Sequence, residues 1–272
     1  MPIHPTAIID PNAEIDPSAE IGPYAVIAGR VRIGPRTVIY PHAYLTGWTT
    51  IGADCQVHPG AVIGHLPQDV SYDGSETFCR IGDGCIIREG ASIHRGTKPG
   101  TETTVGRNCM MMANAHIGHN CRVGDGVKMV NGALLAGYVE MGANAFIGGI
   151  AGVHQFARIG ELVMIAGGSR VRMDVPPFFM TDDSGNCVGV NVVGMRRAGM
   201  TADERRDVKN AFRILYRSGM MFRAAADALA DAVTTPAGRR IVEFLRQPSK
   251  RGIAGGRRRT LDADASGVAA GE

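Results

Sequence analysis

Histidine is the side chain best placed to do chemistry in this 272-residue chain. Two of the eight histidines stand three apart in the run Asn114-Ala115-His116-Ile117-Gly118-His119. A neutral imidazole, with an unperturbed pKa of ~6.5, is a competent general base at neutral pH. Gly137 follows His119 by 18 residues, and Gln155, preceded by His154, follows Gly137 by 18 more. A glycine near an imidazole offers a backbone N–H with no side chain in the way, as oxyanion stabilisation requires. Base and oxyanion donor together suit acyl transfer, in which a hydroxyl is deprotonated and attacks a thioester. No serine-nucleophile motif or Walker loop competes with that chemistry. Zinc held by His94, His116 and His119 is the rival. His94 precedes His116 by 22 residues, a spacing that argues against their stacking. His4, His42, His58 and His65 read as surface residues.

These residues must be positioned by a repeat. From Ile3 to Val171 in steps of six there are 29 slots, and 26 of them carry Ile, Leu, Val or Met. The slot four residues later is small, as in Ala7, Ala13, Ala19, Ala25, Ala43, Ala115 and Ala133. Proline has its own slot two after the large residue, at Pro5, Pro11, Pro17, Pro23, Pro35, Pro41 and Pro59. Proline lacks a ladder donor and suits a corner. Each hexad therefore reads as a short strand and a turn, with one large and one small side chain inward. His119, in the proline slot, should sit at a corner. Cys55, Cys79, Cys85, Cys109 and Cys121 all fall in the small inward slot. They read as packing residues rather than metal ligands or disulfides, and there is no CxxC. Cys187 lies outside the repeat.

Period six is the signature of a parallel β-helix. The register survives breaks at 64–80 and 94–104, where Asp69, Ser75 and Pro99 occupy the failed slots. These stretches read as loops leaving the prism, where function concentrates. The period then changes. Thr201 and Glu204 form a capping box ahead of Val208, Ala211, Phe212 and Leu215. Gly219 is placed to end that helix. A second helix carries Phe222, Ala226, Leu229 and Val233, and a third starts at Thr235-Pro236. The division expected is a β-helix over 1–190, a helical domain over 191–251 and an unstructured tail over 252–272.

Composition is that of a folded, soluble chain: 44% hydrophobic, 20% charged and only 6% aromatic, with 37 glycines. No apolar run approaches the ~20 residues of a membrane span, and the first residues lack a signal-peptide pattern, so a cytoplasmic protein is expected. Residues 196–272 hold 16 Lys+Arg against 9 Asp+Glu, a balance of +7. That end should meet an anionic partner, and charge alone does not choose which.

Several motifs narrow the choice: Pro67-Gln68-Asp69, the run Ile93 to Thr97, NAHIGHNC at 114–121, GVHQF at 152–156, DVPP at 174–177, GVN at 189–191 and NAFRILYRSG at 210–219. Through them the chain resembles the UDP-N-acetylglucosamine O-acyltransferases, hexapeptide-repeat acyltransferases of lipid A biosynthesis, over about residues 1–252. The resemblance implies an all-β left-handed parallel β-helix of about nine to ten triangular coils, with a small C-terminal α-helical domain. It implies a homotrimer with active sites between neighbouring prisms, and no metal, redox cofactor or nucleic acid. His119 matches the general base and Gly137 the oxyanion donor. Gln68, Asp69, His116, His154 and Gln155 match sugar- and diphosphate-facing positions. Asn191 and Arg197 match positions near the nucleotide and acyl groups, and Gly167 a position that limits acyl length. The implied reaction moves an (R)-3-hydroxyacyl chain from acyl carrier protein to UDP-N-acetylglucosamine, with the basic helices docking the acidic carrier.

The chain departs from the family pattern at four places: Ser71 for a lysine, Asn120 for an aspartate, Tyr138 for a histidine and Val193 for a glutamate. Ser71 and Val193 open the alternative of a paralogue acting on another nucleotide sugar, such as a 3-amino one, and the four departures together that of a catalytically weak binding trimer.

Overall fold

The computed structural model describes residues 3–256. The repeat folds as expected, into a left-handed parallel β-helix of triangular section whose three faces are parallel sheets. One face stacks Ile9, Ile27, Leu45, Ile63, Ile93, Ile117, Leu135, Val153 and Val171 in register. These side chains are almost entirely buried from Ile27 onward. Each such burial stabilises by roughly 1.5–3 kcal/mol.

Most hexads after the first coil join a type II turn to a short strand. The turn's hydrogen bond runs from the small inward residue back to the residue after the large one, as in Ala115 N to Met112 O at 3.1 Å and Ala133 N to Val130 O at 3.0 Å. The first central position is the proline slot, whose N–H has no ladder acceptor. The second lies in the left-handed region, which Gly, Asn and Asp enter most easily. Asp54, Asn108, Asn114, Asn120 and Asn144 take it with φ between 53° and 60°. Tyr138 (φ 60°) and Phe156 (φ 66°) are bulky residues in the same conformation. Such residues are uncommon there; Tyr138 stands beside His119, and Phe156 stacks on Tyr138.

The two breaks are loops from the prism, between the strands Val62–His65 and Phe78–Ile81 and between Ser92–His94 and Glu102–Val105. They lengthen the coils they interrupt, so Ile93 pairs with Ile117 across 24 residues rather than 18. All six cysteines are buried and unpaired. Burial pushes the Cys79 and Cys121 thiols up to about 12, so they stay protonated.

Beyond Val171 the hexad ends. Phe179–Thr181 joins the third sheet, and Cys187–Val190 pairs with it antiparallel, the one departure from parallel pairing among the described residues. Four helices follow: α1 (Val192–Arg197), α2 (Ala202–Arg217), α3 (Phe222–Ala232) and α4 (Pro236–Arg246). The short α1 has no apolar periodicity to announce it; Asn191 caps it by accepting from Gly194 N at 2.8 Å. The Thr201–Glu204 capping box starts α2, and Gly219 follows it with φ 78°. Asp207, buried in α2, accepts from Thr234 N, Thr235 N and Thr235 Oγ1 and so fixes the start of α4. Phe179 meets Phe212 and Tyr216 of α2 edge-to-face, seating the helices on the last coil. Arg158 grips the fully buried Asp174 at 2.7 Å and also donates to Gln247 beyond α4.

The expected unstructured tail is corrected at its start. Residues 252–256 return to the prism: Ile253 bridges Asp174, Gly256 bridges Cys187, and Ala254 O accepts from the Tyr216 hydroxyl at 3.0 Å. The glycine-rich composition suggested a coil, yet its backbone groups are taken up by the sheet edge. Residues 257–272 of that tail lie outside the described residues.

Candidate active site

His119 occupies the first central position of a turn, between Gly118 and Asn120. It is buried against its own corner, with 7% of its surface exposed. Its Nδ1 lies 2.7 Å from Thr97 Oγ1 and 3.0 Å from Asn120 Oδ1. Asn120 Oδ1 also accepts from Thr97 N at 3.0 Å, and a backbone N–H identifies its partner as the oxygen. A proton on Nδ1 would be donated to this oxygen. That tautomer leaves Nε2 as the free base, which catalysis needs. It faces Gly137 one coil above, and Asp69 Oδ2 stands 3.7 Å away.

Asp69 arrives on the first loop. Ser71 N donates to its Oδ1 at 2.9 Å, and this bond is the main cause holding its carboxyl below the usual range. The loop is held by Arg95, which donates to the Tyr72 hydroxyl at 2.9 Å and lies over the Trp48 and Tyr72 rings. The ammonium missing at residue 71 is supplied from the second loop, where Lys98 Nζ donates to Ser71 Oγ at 3.2 Å.

Gly137 holds the proline slot without being proline, and its N–H donates to no protein acceptor among the described residues. Tyr138 stands edge-on to His119 at 5.3 Å and stacks on Phe156 at 4.9 Å.

A cleft of about 560 Å³ gathers Gln68, His116, His119, Gly137, His154 and Gln155. It also takes in His94, whose ring meets His116 edge-to-face at 4.9 Å. The spacing argument against that contact fails because the coil between them carries the extra loop. Burial, reinforced by His116, lowers the pKa of His94 to about 4, and burial lowers that of His116 as well. Both rings are neutral hydrogen-bonding groups at neutral pH. Ser92 Oγ pairs with His116 Nδ1 at 2.8 Å, whereas His94 Nδ1 is buried without a partner among the described residues. No three His, Cys, Asp or Glu side chains are grouped to hold a metal ion among the described residues.

The remaining expected residues lie elsewhere on the chain. Gly167 is at a different corner, above Gly149. Asn191 uses its amide internally, capping α1 and donating to Leu162 O at 2.8 Å. Arg197 is exposed at the end of α1. Sequence reasoning gave Thr97 no role beyond its place in a motif and missed Lys98, Arg170 and Arg172. The first two sit in a loop without period, and the arginines occupy outward slots that the inward pattern ignores.

Fold and cleft together define a hexapeptide-repeat transferase. The family model described as bacterial transferase hexapeptide (six repeats) matches residues 30–65 and 102–137. That described as Udp N-acetylglucosamine O-acyltransferase, domain 2, matches 174–254. The chain belongs to the UDP-N-acetylglucosamine O-acyltransferase family. The acyl-[acyl-carrier-protein]--UDP-N-acetylglucosamine O-acyltransferase of Syntrophobacter fumaroxidans is 45% identical over 93% of this chain and 99% of its own. That of Gloeothece citriformis is 42% identical over 90% of each. The crystal structure of LpxA from Acinetobacter baumannii superposes with a TM-score of 0.89 at 36% identity, covering 93% of this chain and all of that one.

Proposed function

We propose that the protein transfers an (R)-3-hydroxyacyl chain from acyl carrier protein to the 3-hydroxyl of UDP-N-acetylglucosamine, the first step of lipid A biosynthesis. The observation that carries this is His119, with Nδ1 turned towards Asn120 Oδ1 and Nε2 towards a cleft, beside a Gly137 N–H that has no protein acceptor among the described residues. Nε2 removes the proton as the sugar oxygen attacks the thioester carbonyl. The oxyanion accepts from Gly137 N–H. As the C–S bond breaks, the imidazolium returns the proton to the departing thiolate. Gln68, Asp69, His116, His154 and Gln155 face the acceptor, and the neutral His94 adds an unpaired hydrogen-bonding atom.

The working unit in this reading is a homotrimer. Gly167, Asn191 and Arg197, away from the cleft of their own chain, act there from a neighbouring protomer. The apolar Ile150, 79% exposed, supplies contact area for that neighbour. Six unpaired cysteines accord with a reducing compartment, and so with the cytoplasm. No helix among the described residues is long and apolar enough to cross a membrane.

The test is product formation followed by mass spectrometry, with UDP-N-acetylglucosamine, its 3-amino analogue and 3-hydroxyacyl carrier proteins of several lengths. A 3-O-acyl product, lost by at least ~10²-fold in His119→Ala, is expected. Preference for the amine, or full activity in that variant, would sink this reading. The Lys98 ammonium at Ser71 weakens the case for a changed acceptor, because a positive charge still stands at position 71.

A further inference from the structure

The cleft has two ends of different chemistry. Along one outward column of its face, His116 pairs in register with Leu134, Leu134 with Gly152 and Gly152 with Arg170. Arg172 lines the cleft beside Arg170, and both are exposed on either side of the inward Val171. Imidazoles thus lie at one end, a small and apolar floor of Leu134, Ala136 and Gly152 in the middle, and guanidiniums at the other end. A Cβ on Gly152 would meet nothing within 4 Å, so the floor below Arg170 is open.

The positive charge at this end has no carboxylate partner among the described residues. Neither Arg170 nor Arg172 has a carboxylate within 4.0 Å among the described residues, and the nearby Asp174 is held by Arg158. The returning C-terminal segment adds more cations. Arg251 donates to Arg172 O at 3.0 Å, and Lys250 lies 4.4 Å from the centre of the Phe156 ring. Like charges gathered on one strand face repel unless an anion joins them. Arginine forks match phosphate oxygens in pairs.

We propose that Arg170 and Arg172 form a phosphate-binding subsite for a substrate at the far end of the cleft from His119. The inference rests on the acyltransferase reading for what enters the cleft. Two phosphates are available there, the acceptor's diphosphate and the phosphodiester at the root of the donor's pantetheine arm. Val171 is three coils above Ile117, about 14 Å at ~4.8 Å per coil. The diphosphate hangs on the sugar carbon two ring positions from the attacking hydroxyl. The donor's phosphodiester lies the length of the pantetheine arm away from its thioester. The spacing favours the donor.

The experiment compares 3-hydroxyacyl-phosphopantetheine with 3-hydroxyacyl-pantetheine as donors, for the wild-type protein and for Arg170→Ala/Arg172→Ala. The wild type should show a KM at least about tenfold lower for the phosphorylated donor, and the variant should lose that preference. KM for UDP-N-acetylglucosamine should not move. Arg170→Lys/Arg172→Lys should restore part of the preference, since charge returns without the fork. A rise in KM for the nucleotide sugar, with donor preference intact, keeps the subsite but transfers it to the acceptor's diphosphate. No change in either KM overturns the proposal. Calorimetric binding of phosphopantetheine needs no turnover. Binding that depends on the two arginines in a protein forming no product would sustain the subsite while rejecting the acyltransferase reading.

Discussion

A methyl group built on Gly137 would lie 2.5 Å from both Cε1 and Nε2 of His119. The imidazole therefore occupies the space that any other residue at 137 would fill. His119 can lie over residue 137 because that residue is glycine.

Gly137→Ala should accordingly turn the ring out of its position without unfolding the coil, because the cleft beyond is open. Misplacing a reacting group by about 1 Å costs on the order of 10²-fold. Steady-state kcat should fall by that order while the melting temperature moves little.

Asn120→Asp should change the pH profile rather than abolish activity. A carboxylate at Nδ1 favours the imidazolium and so raises the pKa of the base. The base works when neutral, so the ascending limb of kcat/KM should move to higher pH. Aspartate tolerates the left-handed turn position, so the fold should be kept. An unshifted limb would mean that another group titrates there.

His94 ties stability to pH. Its folded pKa is depressed to about 4 by burial, against an unfolded value of ~6.5. Between those values the unfolded chain binds more protons, so stability rises with pH across the window. It should be fully present above about 6.5 and fall as pH drops towards 4. Denaturant midpoints at pH 4.5 and 7.5 should differ less in His94→Gln than in the wild type.

Asp207→Ala should loosen the helical domain. It removes the acceptor of three hydrogen bonds at the start of α4. Loss of such a buried, charged acceptor costs about 2–4 kcal/mol. Calorimetry should show a lowered transition, with the β-helix retained in circular dichroism.

The prism was legible because its order is periodic. Ile27 and Ala25 differ in size and repeat every six residues, and both are fully buried. His119 and Gly137 could be set one above the other from spacing alone, because no insertion separates them. The His94–His116 contact escaped the same arithmetic, since the loop between their strands changes the coil length. Lys98 beside Ser71 is a meeting of two aperiodic loops, and nothing in either loop announces the other. Arg170 and Arg172 were overlooked for a different reason: the repeat constrains what points inward and is silent about outward side chains. The segment at 252–256 was misjudged from composition, which carries no sign of a sheet edge waiting for a partner.

The two ends of the prism are closed differently. Phe178 and Phe179 plug the last coil, with the helices and residues 252–256 packed over it. At the other end Ile3, in the inward slot of the first coil, is 43% exposed. A stack whose units touch only their neighbours holds its order most firmly where it is anchored. Amide protection should therefore form a gradient along the axis, weakest in the first coils and strongest near Val171. The reacting groups sit on the anchored side of that gradient, so breathing at the free end leaves them undisturbed.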